Sequence, residues 1–173
     1  ARGAKVRLVA GPVSLPTPPA LERIDVRSAL EMQDAVAKIG AVDAIVMAAA
    51  VADYRFARTS ATKVKKSGES IAVELARNPD ILAALGVARK GVRPVLVGFA
   101  LETGARAHVV AEARRKLRDK KVDVVVANEA RVAFGGDDNE ISFITENRDE
   151  RLPRASKIDL ADALLDRIKS MLA

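Results

Sequence analysis

Apolar positions along the chain fall into two patterns. Residues 6–10, 44–50, 95–100 and 122–127 are short apolar runs, broken by charge only at Arg7 and Asp123, the last almost pure valine. Runs of this length without alternation predict strands covered on both faces. Between them the spacing is helical. Residues 28–39 place Leu30, Val36 and Ile39 among Glu31, Gln33, Asp34 and Lys38, and residues 106–120 carry Val109, Val110, Ala113 and Leu117 on one side with a basic opposite side. A helix over 79–89 follows Asn78, a capping residue type, with Pro79 at the first helical position. A closing helix over 156–172 sets Leu160, Ala163, Leu164, Ile168 and Leu172 at helical spacing. Residues 71–75 and 141–145 alternate like half-exposed strands, and 146–149 reads as a turn into Arg151-Leu152. The Pro-rich stretch 11–19 reads as a loop rather than a linker. Buried strands alternating with amphipathic helices predict an α/β fold: a Rossmann-like, doubly wound, mostly parallel sheet with a small β-hairpin or flap extension.

Composition narrows the chemistry. The 173 residues suit a single domain over 1–173, and 49% hydrophobic with 30% charged residues supplies a core. The net charge is +6, but basic residues are interspersed with acidic ones, as in Arg114, Arg115, Lys116, Arg118, Asp119, Lys120 and Lys121, which favours small anionic ligands or solvation over a nucleic-acid stripe. Aromatic residues make up 3%, too few rings for stacking on bases, so no nucleic-acid partner is expected. The chain has no cysteine. That excludes a disulfide scaffold, a thiolate metal site and a cysteine nucleophile, and fits a reducing cytoplasm. No apolar run reaches the length of a membrane span, and the opening residues do not pattern as a signal peptide.

Several stretches carry candidate chemistry. Met47-Ala48-Ala49-Ala50-Val51-Ala52-Asp53-Tyr54 ends a strand in small residues and then presents an acid, which suits a ligand crevice with Asp53 on a ribose hydroxyl or a metal ion. A strand followed by a turn Asp fits the same residues. Lys63-Val64-Lys65-Lys66, followed by Ser67-Gly68, suits a flap that neutralises polyphosphate charge, or a solvated loop. Asn78-Pro79-Asp80-Ile81 opens a helix whose free amides suit an anion or a base edge, or form an ordinary cap. Lys116 and Lys120 lie one helical turn apart, as a phosphate clamp or a solvated face. His108, the single histidine, has no catalytic partner in its pattern and reads as structural or exposed. Asn128 lines a crevice or ends a strand. No GxGxxG or GxxxxGK[ST] occurs, and Gly135-Gly136 is turn chemistry. Either phosphates are held in another way or a first βα unit precedes residue 1.

In order, these stretches, together with Val97-Gly98-Phe99-Ala100-Leu101-Glu102-Thr103, Val126-Ala127-Asn128, Val9-Ala10-Gly11-Pro12, Glu31-Met32, Phe134, Asn139 and Ser156-Lys157, closely resemble bacterial phosphopantothenate-cysteine ligase, also called phosphopantothenoylcysteine synthetase. The likeness covers nearly the whole chain. It implies CTP-dependent joining of 4'-phosphopantothenate to L-cysteine through an acyl-cytidylate, with no enzyme nucleophile. It implies CTP contacts at Ala48, Ala49, Asp53, Lys63, Asn78, Pro79, Asp80, Ile81, Phe99, Lys116 and Lys120, with Lys63 catalytic. Mg²⁺ is expected mainly on the triphosphate rather than at a protein metal site. A homodimer and fusion to an N-terminal flavin-dependent decarboxylase are implied as well. The family pattern opens with a strand, a Gly-rich turn and an Asn- and Ser-bearing segment, whereas this chain enters at what resembles the second strand. The expectation is therefore an N-terminally incomplete ligase domain that binds CTP but does not ligate alone. Two other classes compete: a nicotinamide-dependent oxidoreductase on the same fold, short of dinucleotide glycines, and a non-catalytic nucleotide-binding module.

Overall fold

A computed structural model describes residues 2–19, 21–65, 68–129 and 136–173. Lys66, Ser67, Phe134 and Gly135 from the motifs above lie outside the described residues. The chain forms two compact units, one running to Ile39 and including Ala49–Asp80, the other comprising Gly40–Ala48 and Ile81–Ala173.

In the first unit, β1 (Arg7–Ala10) and β2 (Glu22–Asp25) form a parallel pair in which Arg7 faces Glu22 and Ala10 faces Asp25. The loop between them is tied down by Arg23, whose Nη1 donates to Leu15 O at 3.3 Å and Thr17 Oγ1 at 3.1 Å. The sequence did not predict β2, and β1 is not the doubly covered strand expected of residues 6–10. A two-stranded ribbon shields little, so Val6 is 43% exposed and Ala10 is the buried residue of the strand. Helix α1 (Ala29–Ala37) follows Ser28, whose Oγ accepts from Glu31 N at 3.2 Å while Glu31 Oε2 accepts from Arg27 N at 2.7 Å. This reciprocal arrangement satisfies amides the helix start leaves open, and Met32 and Val36, one turn apart, form its buried stripe.

Two short strands, β4 (Tyr54–Phe56) and β5 (Leu75–Arg77), make an antiparallel hairpin in the same unit, with Tyr54 opposite Arg77 and Phe56 opposite Leu75. This is the expected extension, but its second strand is Leu75–Arg77 rather than residues 71–75. Pairing with Tyr54–Phe56 sets the register, and alternation within 71–75 carries no information about that partner.

The second unit holds a five-stranded sheet in the order β10-β9-β7-β6-β3. Its strands are β3 (Ala44–Met47), β6 (Val95–Glu102), β7 (Val124–Glu129), β9 (Ile141–Ile144) and β10 (Asp149–Arg151). β3, β6 and β7 are parallel, and β9 and β10 add antiparallel. The sheet is therefore mixed, in a Rossmann-like α/β fold. β3 is shorter than the run 44–50 and lies at the outer end of the order, which leaves Val46 partly exposed. Residues 141–145 were expected to be half-exposed, yet all four residues of β9 are buried. Ser142 tolerates burial because its hydroxyl accepts from Arg106 Nη1 at 3.0 Å.

The strand residues sort by alternation onto two faces. Val95, Val97, Val124, Val126, Ile141 and Phe143 pack with Leu160, Leu164 and Ile168 of α4 (Lys157–Leu172). Leu96, Ala100, Val125, Ala127 and Ile144 pack with Val109, Ala113 and Leu117 of α3 (Arg106–Lys120), with Leu82 and Leu85 of α2 (Ile81–Ala88) alongside. Helices α3 and α4 each contribute residues four apart, and α2 contributes a pair three apart, the stripes expected of half-buried helices. Helix α4 is capped by Ser156, whose Oγ accepts from Asp159 N at 3.1 Å. The two-residue strands β8 (Asp138–Asn139) and β11 (Ala155–Ser156) pair just before it.

At the amino ends of β6 and β7, Asp123 Oδ2 accepts from Leu96 N at 2.7 Å and pairs with Arg89, whose guanidinium also donates to Pro94 O and Lys121 O at 3.0 Å. Gly86 of α2 is required nearby, because a Cβ there would lie 1.9 Å from Lys120 O.

Candidate functional site

The residues expected to meet a nucleotide divide between the units. Asp53, Asn78, Pro79, Asp80, Lys63 and Ala49 belong to the first, and Ala48, Ile81, Phe99, Lys116 and Lys120 to the second.

Within the first unit the structure brings Asp53 and Asn78 together. Asn78 N donates to Asp53 O at 2.8 Å, Asn78 Nδ2 donates to Ala52 O at 2.8 Å, and Asn78 Oδ1 accepts from Arg55 Nη1 at 3.2 Å. Arg55 Nη1 also donates to Arg77 O at 2.5 Å. The amide of Asn78 thus ties the two hairpin strands at their base and fixes the backbone on both sides of Asp53. This departs from the reading of Asn78 as a helix cap. The helix begins at Ile81, not at Pro79, because the polar atoms of Asn78 are used across the hairpin rather than on the following amides. Pro79 offers no N–H, so the free amides expected at this turn do not include residues 78 and 79.

Lys63 lies on the connection between β4 and β5 and is exposed. A local turn precedes it, with Ser60 Oγ donating to Thr62 O at 2.8 Å and accepting from Thr62 N at 3.2 Å. Lys65 is exposed on the same connection.

Within the second unit, Phe99 and Lys116 lie on opposite faces of β6. Phe99 pairs with Val126 and follows Val97 by two residues, which puts it on the α4 face, where it is 41% exposed. Ala100 and Glu102 alternate to the α3 face. There Lys116 Nζ donates to Glu102 Oε1 at 2.6 Å, with side-chain exposures of 27% and 22%. A ligand at the carboxyl end of β6 is thus open to a ring from one face and a cation from the other, the usual ligand position in open α/β sheets. Ala48 directly follows β3 and is exposed.

A cavity in the second unit opens where α3 begins. Arg106, Val109 and Val110 line it with Ala127, Asn128, Glu140, Ile141, Ser142 and Arg151. Asn128 therefore faces a crevice rather than merely ending a strand. Arg106 is hydrogen-bonded to Ser142, and Arg151 is ion-paired with Glu140. Sequence reasoning named Asn128 but passed over Arg106 and Arg151, because the antiparallel pairings of β9 with β7 and of β10 with β9 bring Ser142 and Arg151 to the start of α3. Glu102 was part of a motif but had no assigned role, since its partner is fourteen residues away on another element. His108 is exposed on α3. Beside it, Glu112 has its pKa held below the ordinary carboxylate value, first by the hydrogen bond from Arg115, which outweighs an opposing desolvation, and then by the charges of Arg115, His108 and Lys116.

Among the described residues no group of three or more His, Asp or Glu side chains is placed to hold a metal ion, and no helix is long and apolar enough to cross a membrane.

Comparison with known proteins extends these observations. Residues 1–172 match the family described as DNA/pantothenate metabolism flavoprotein C-terminal domain. The coenzyme A biosynthesis bifunctional protein CoaBC of Escherichia coli K12 is 41% identical over 174 residues, covering 96% of this chain and 42% of that protein. The CoaBC protein of Vibrio vulnificus YJ016 is 42% identical, covering 98% of this chain and 43% of its own length. A crystal structure of the C-terminal domain of a CoaBC protein superposes with a TM-score of 0.80 at 32% identity, covering 98% of this chain and 76% of the other. The chain thus spans less than half the length of these two relatives. With the sequence matched from end to end and the fold reproduced, this chain belongs to the DNA/pantothenate metabolism flavoprotein C-terminal domain family.

Proposed function

We propose that the chain is the ligase part of a coenzyme A biosynthesis protein, joining 4'-phosphopantothenate to L-cysteine at the expense of CTP. The observation that carries this reading is the family match over residues 1–172, supported by 41% identity to a protein named for coenzyme A biosynthesis. The ring of Phe99 and the ammonium of Lys116 at one strand end agree with a nucleotide ligand.

In the reaction, the substrate carboxylate attacks the α-phosphate of CTP, forming the acyl–phosphate bond and releasing pyrophosphate. The amine of cysteine then attacks the acyl carbon, forms the amide, loses a proton and expels CMP. No side chain is consumed, so the protein acts by positioning and by stabilising phosphate charge. We assign Lys63 as the catalytic residue on the hairpin connection, Lys116 and Lys120 to phosphate, Phe99 to the nucleoside, and Asp53 to a ribose hydroxyl. Backbone groups by Ala48 and Ala49 and in the turn of Asn78, Pro79, Asp80 and Ile81 contribute the remaining nucleotide contacts. Asn78 itself acts by holding the Asp53 backbone. Mg²⁺ enters with the triphosphate, since this ion prefers phosphate oxygens and water. A homodimer, fusion to a flavin-dependent decarboxylase and a cytoplasmic location complete the reading, the fusion agreeing with the bifunctional relatives.

Titration calorimetry with Mg²⁺ present tests it. CTP binds, and UTP binds more than about tenfold less tightly, because a site matched to the 4-amino donor of cytosine leaves polar groups unpaired against the uracil carbonyl. Equal affinities for the two nucleotides would overturn the assignment.

A further inference from the structure

We propose that Glu102 is a positioning residue for nucleotide phosphate, holding the ammonium of Lys116 at the carboxyl end of β6; the inference rests on the reading of Lys116 as a phosphate ligand. Glu102 is the last residue of β6 and lies two positions beyond Ala100, which is fully buried on the α3 face. Alternation therefore brings its carboxylate out on that face where the packed part of the sheet stops. Lys116 lies between the buried positions Ala113 and Leu117 of α3, at the margin of the packed stripe. Its ammonium reaches Glu102 Oε1 at 2.6 Å.

Burial separates this pair from an ordinary surface contact. Both side chains are about three-quarters covered, with exposures of 27% and 22%, so the pair is less screened than the fully solvated ones that contribute little. By contrast, Arg115 on the same helix is shared between Glu112 and Asp119 of α3 itself, at greater exposure. Lys116 is tied to the strand end instead.

A lysine has four rotatable bonds and three N–H donors. One donor bound to Glu102 restricts the stem and leaves the other two for phosphate oxygens. The entropy of ordering the side chain is then met in the free protein rather than on binding. The carboxylate also lowers the local positive potential, so a competing sign is possible in principle: if Glu102 acted only as a rival anion, its removal would tighten binding. Ordering prevails in this geometry because one carboxylate oxygen engages one donor of a partly covered ammonium that carries two more.

The test is calorimetry of CTP with Mg²⁺ on the full chain in four forms: unaltered, Glu102→Gln, Lys116→Ala and the double variant. Glu102→Gln keeps the shape and a hydrogen-bond acceptor but loses the charge. It is expected to raise the CTP dissociation constant about three- to tenfold, and by less than about twofold when Lys116 is already Ala, the non-additivity that marks coupled side chains. Glu102→Asp, which keeps the charge on a shorter arm, is expected to recover part of the loss. A general structural role would weaken binding equally in both backgrounds and would overturn the proposal. So would unchanged or tighter binding by Glu102→Gln while Lys116→Ala weakens it, and in that case the nucleotide reading of Lys116 stands. If Lys116→Ala leaves CTP affinity unchanged, the phosphate role of Lys116 fails and the proposal fails with it.

Discussion

The sheet unit and the hairpin unit use apolar residues in opposite ways. In the sheet unit, Leu96, Val97, Val124, Val125, Val126 and Ile144 are buried completely or nearly so between helices on two faces. In the other unit, the buried apolar residues among those described are Ala10, Val26, Met32 and Val36, while Tyr54, Phe56, Ile71, Val73 and Leu75 remain exposed. The difference separates two tasks. The sheet unit fixes Phe99, Glu102 and Lys116 on elements whose positions are over-determined by packing. The hairpin unit holds Asp53 and Lys63 on backbone organised chiefly by hydrogen bonds of Asn78, Arg55 and Ser60. Segments with few buried contacts open at the least cost in free energy, a property suited to the catalytic role proposed for Lys63.

The comparison breaks most directly at the core. Leu96→Ala removes a fully buried side chain between β6 and α3 and is expected to destabilise the protein by about 3–5 kcal/mol through lost burial and the cavity left behind. Phe56→Ala, although it removes a larger side chain, acts at a position 60% exposed and is expected to cost less than about 1 kcal/mol. Urea denaturation of both variants checks the pair. Equal losses would show that the hairpin carries a core of its own.

Function divides the other way. Lys63→Gln in the full-length enzyme is expected to lower turnover about 10²- to 10³-fold, the magnitude associated with losing one group that stabilises transition-state charge, with the melting temperature almost unchanged because the side chain is exposed. Lys116→Ala and Lys120→Ala are expected chiefly to raise the apparent constant for CTP. Steady-state kinetics of pyrophosphate release separates these effects. A Lys63→Gln enzyme with intact turnover and only a raised constant would remove the catalytic assignment.

Asn78→Ala sharpens the role of the hairpin base. It deletes the amide that joins Ala52 O to Arg55 and so loosens the backbone beside Asp53. The expected cost is about 1 kcal/mol, the worth of a partly exposed hydrogen-bond pair. The corresponding measurement is amide hydrogen exchange, with faster exchange at residues 54–56 and 75–77 and no change in β6 or β7. Uniform acceleration across the protein would mean that Asn78 contributes to global rather than local stability.

How far the sequence reveals each unit follows from the same contrast. Residues 95–100, 106–120 and 156–172 were read within a residue or two because long apolar runs and helical stripes reflect burial that their own spacing encodes. The strand in the valine run lies at Val124–Glu129 instead of 122–127, because Asp123 is held as a partner of Leu96 and Arg89 just before it. The hairpin register, the start of α2 and the burial of Ser142 were not legible, since each depends on a partner distant in sequence: Tyr54 for Arg77, Ala52 for Asn78, and Arg106 for Ser142. Candidate site residues were legible by type and spacing, as with Lys116, whereas their neighbours were not, as with Glu102.

The smallest expected effect belongs to the exposed face of α3, where Glu112 accepts from Arg115 Nη2 at 2.8 Å. That hydrogen bond outweighs an opposing desolvation and, with the charges of Arg115, His108 and Lys116, holds the Glu112 pKa below its ordinary value. The folded protein therefore binds the proton less readily than the unfolded chain does. The stability contributed by the ionised pair is present in full above the unfolded glutamate value, about 4.3, and is lost as the pH falls through the lowered folded value. Because the pair is solvent-exposed, salt screens it. Glu112→Gln is expected to leave the melting temperature at pH 7 nearly unchanged and to flatten slightly its decline at acidic pH relative to the unaltered protein, with the difference vanishing in about 1 M salt. Melting curves from pH 3 to 7 at low and high salt check this. A large loss at pH 7 that persists in salt would mean that Glu112 supports the packed side of α3 and that the helix surface is not energetically separate from the sheet it covers.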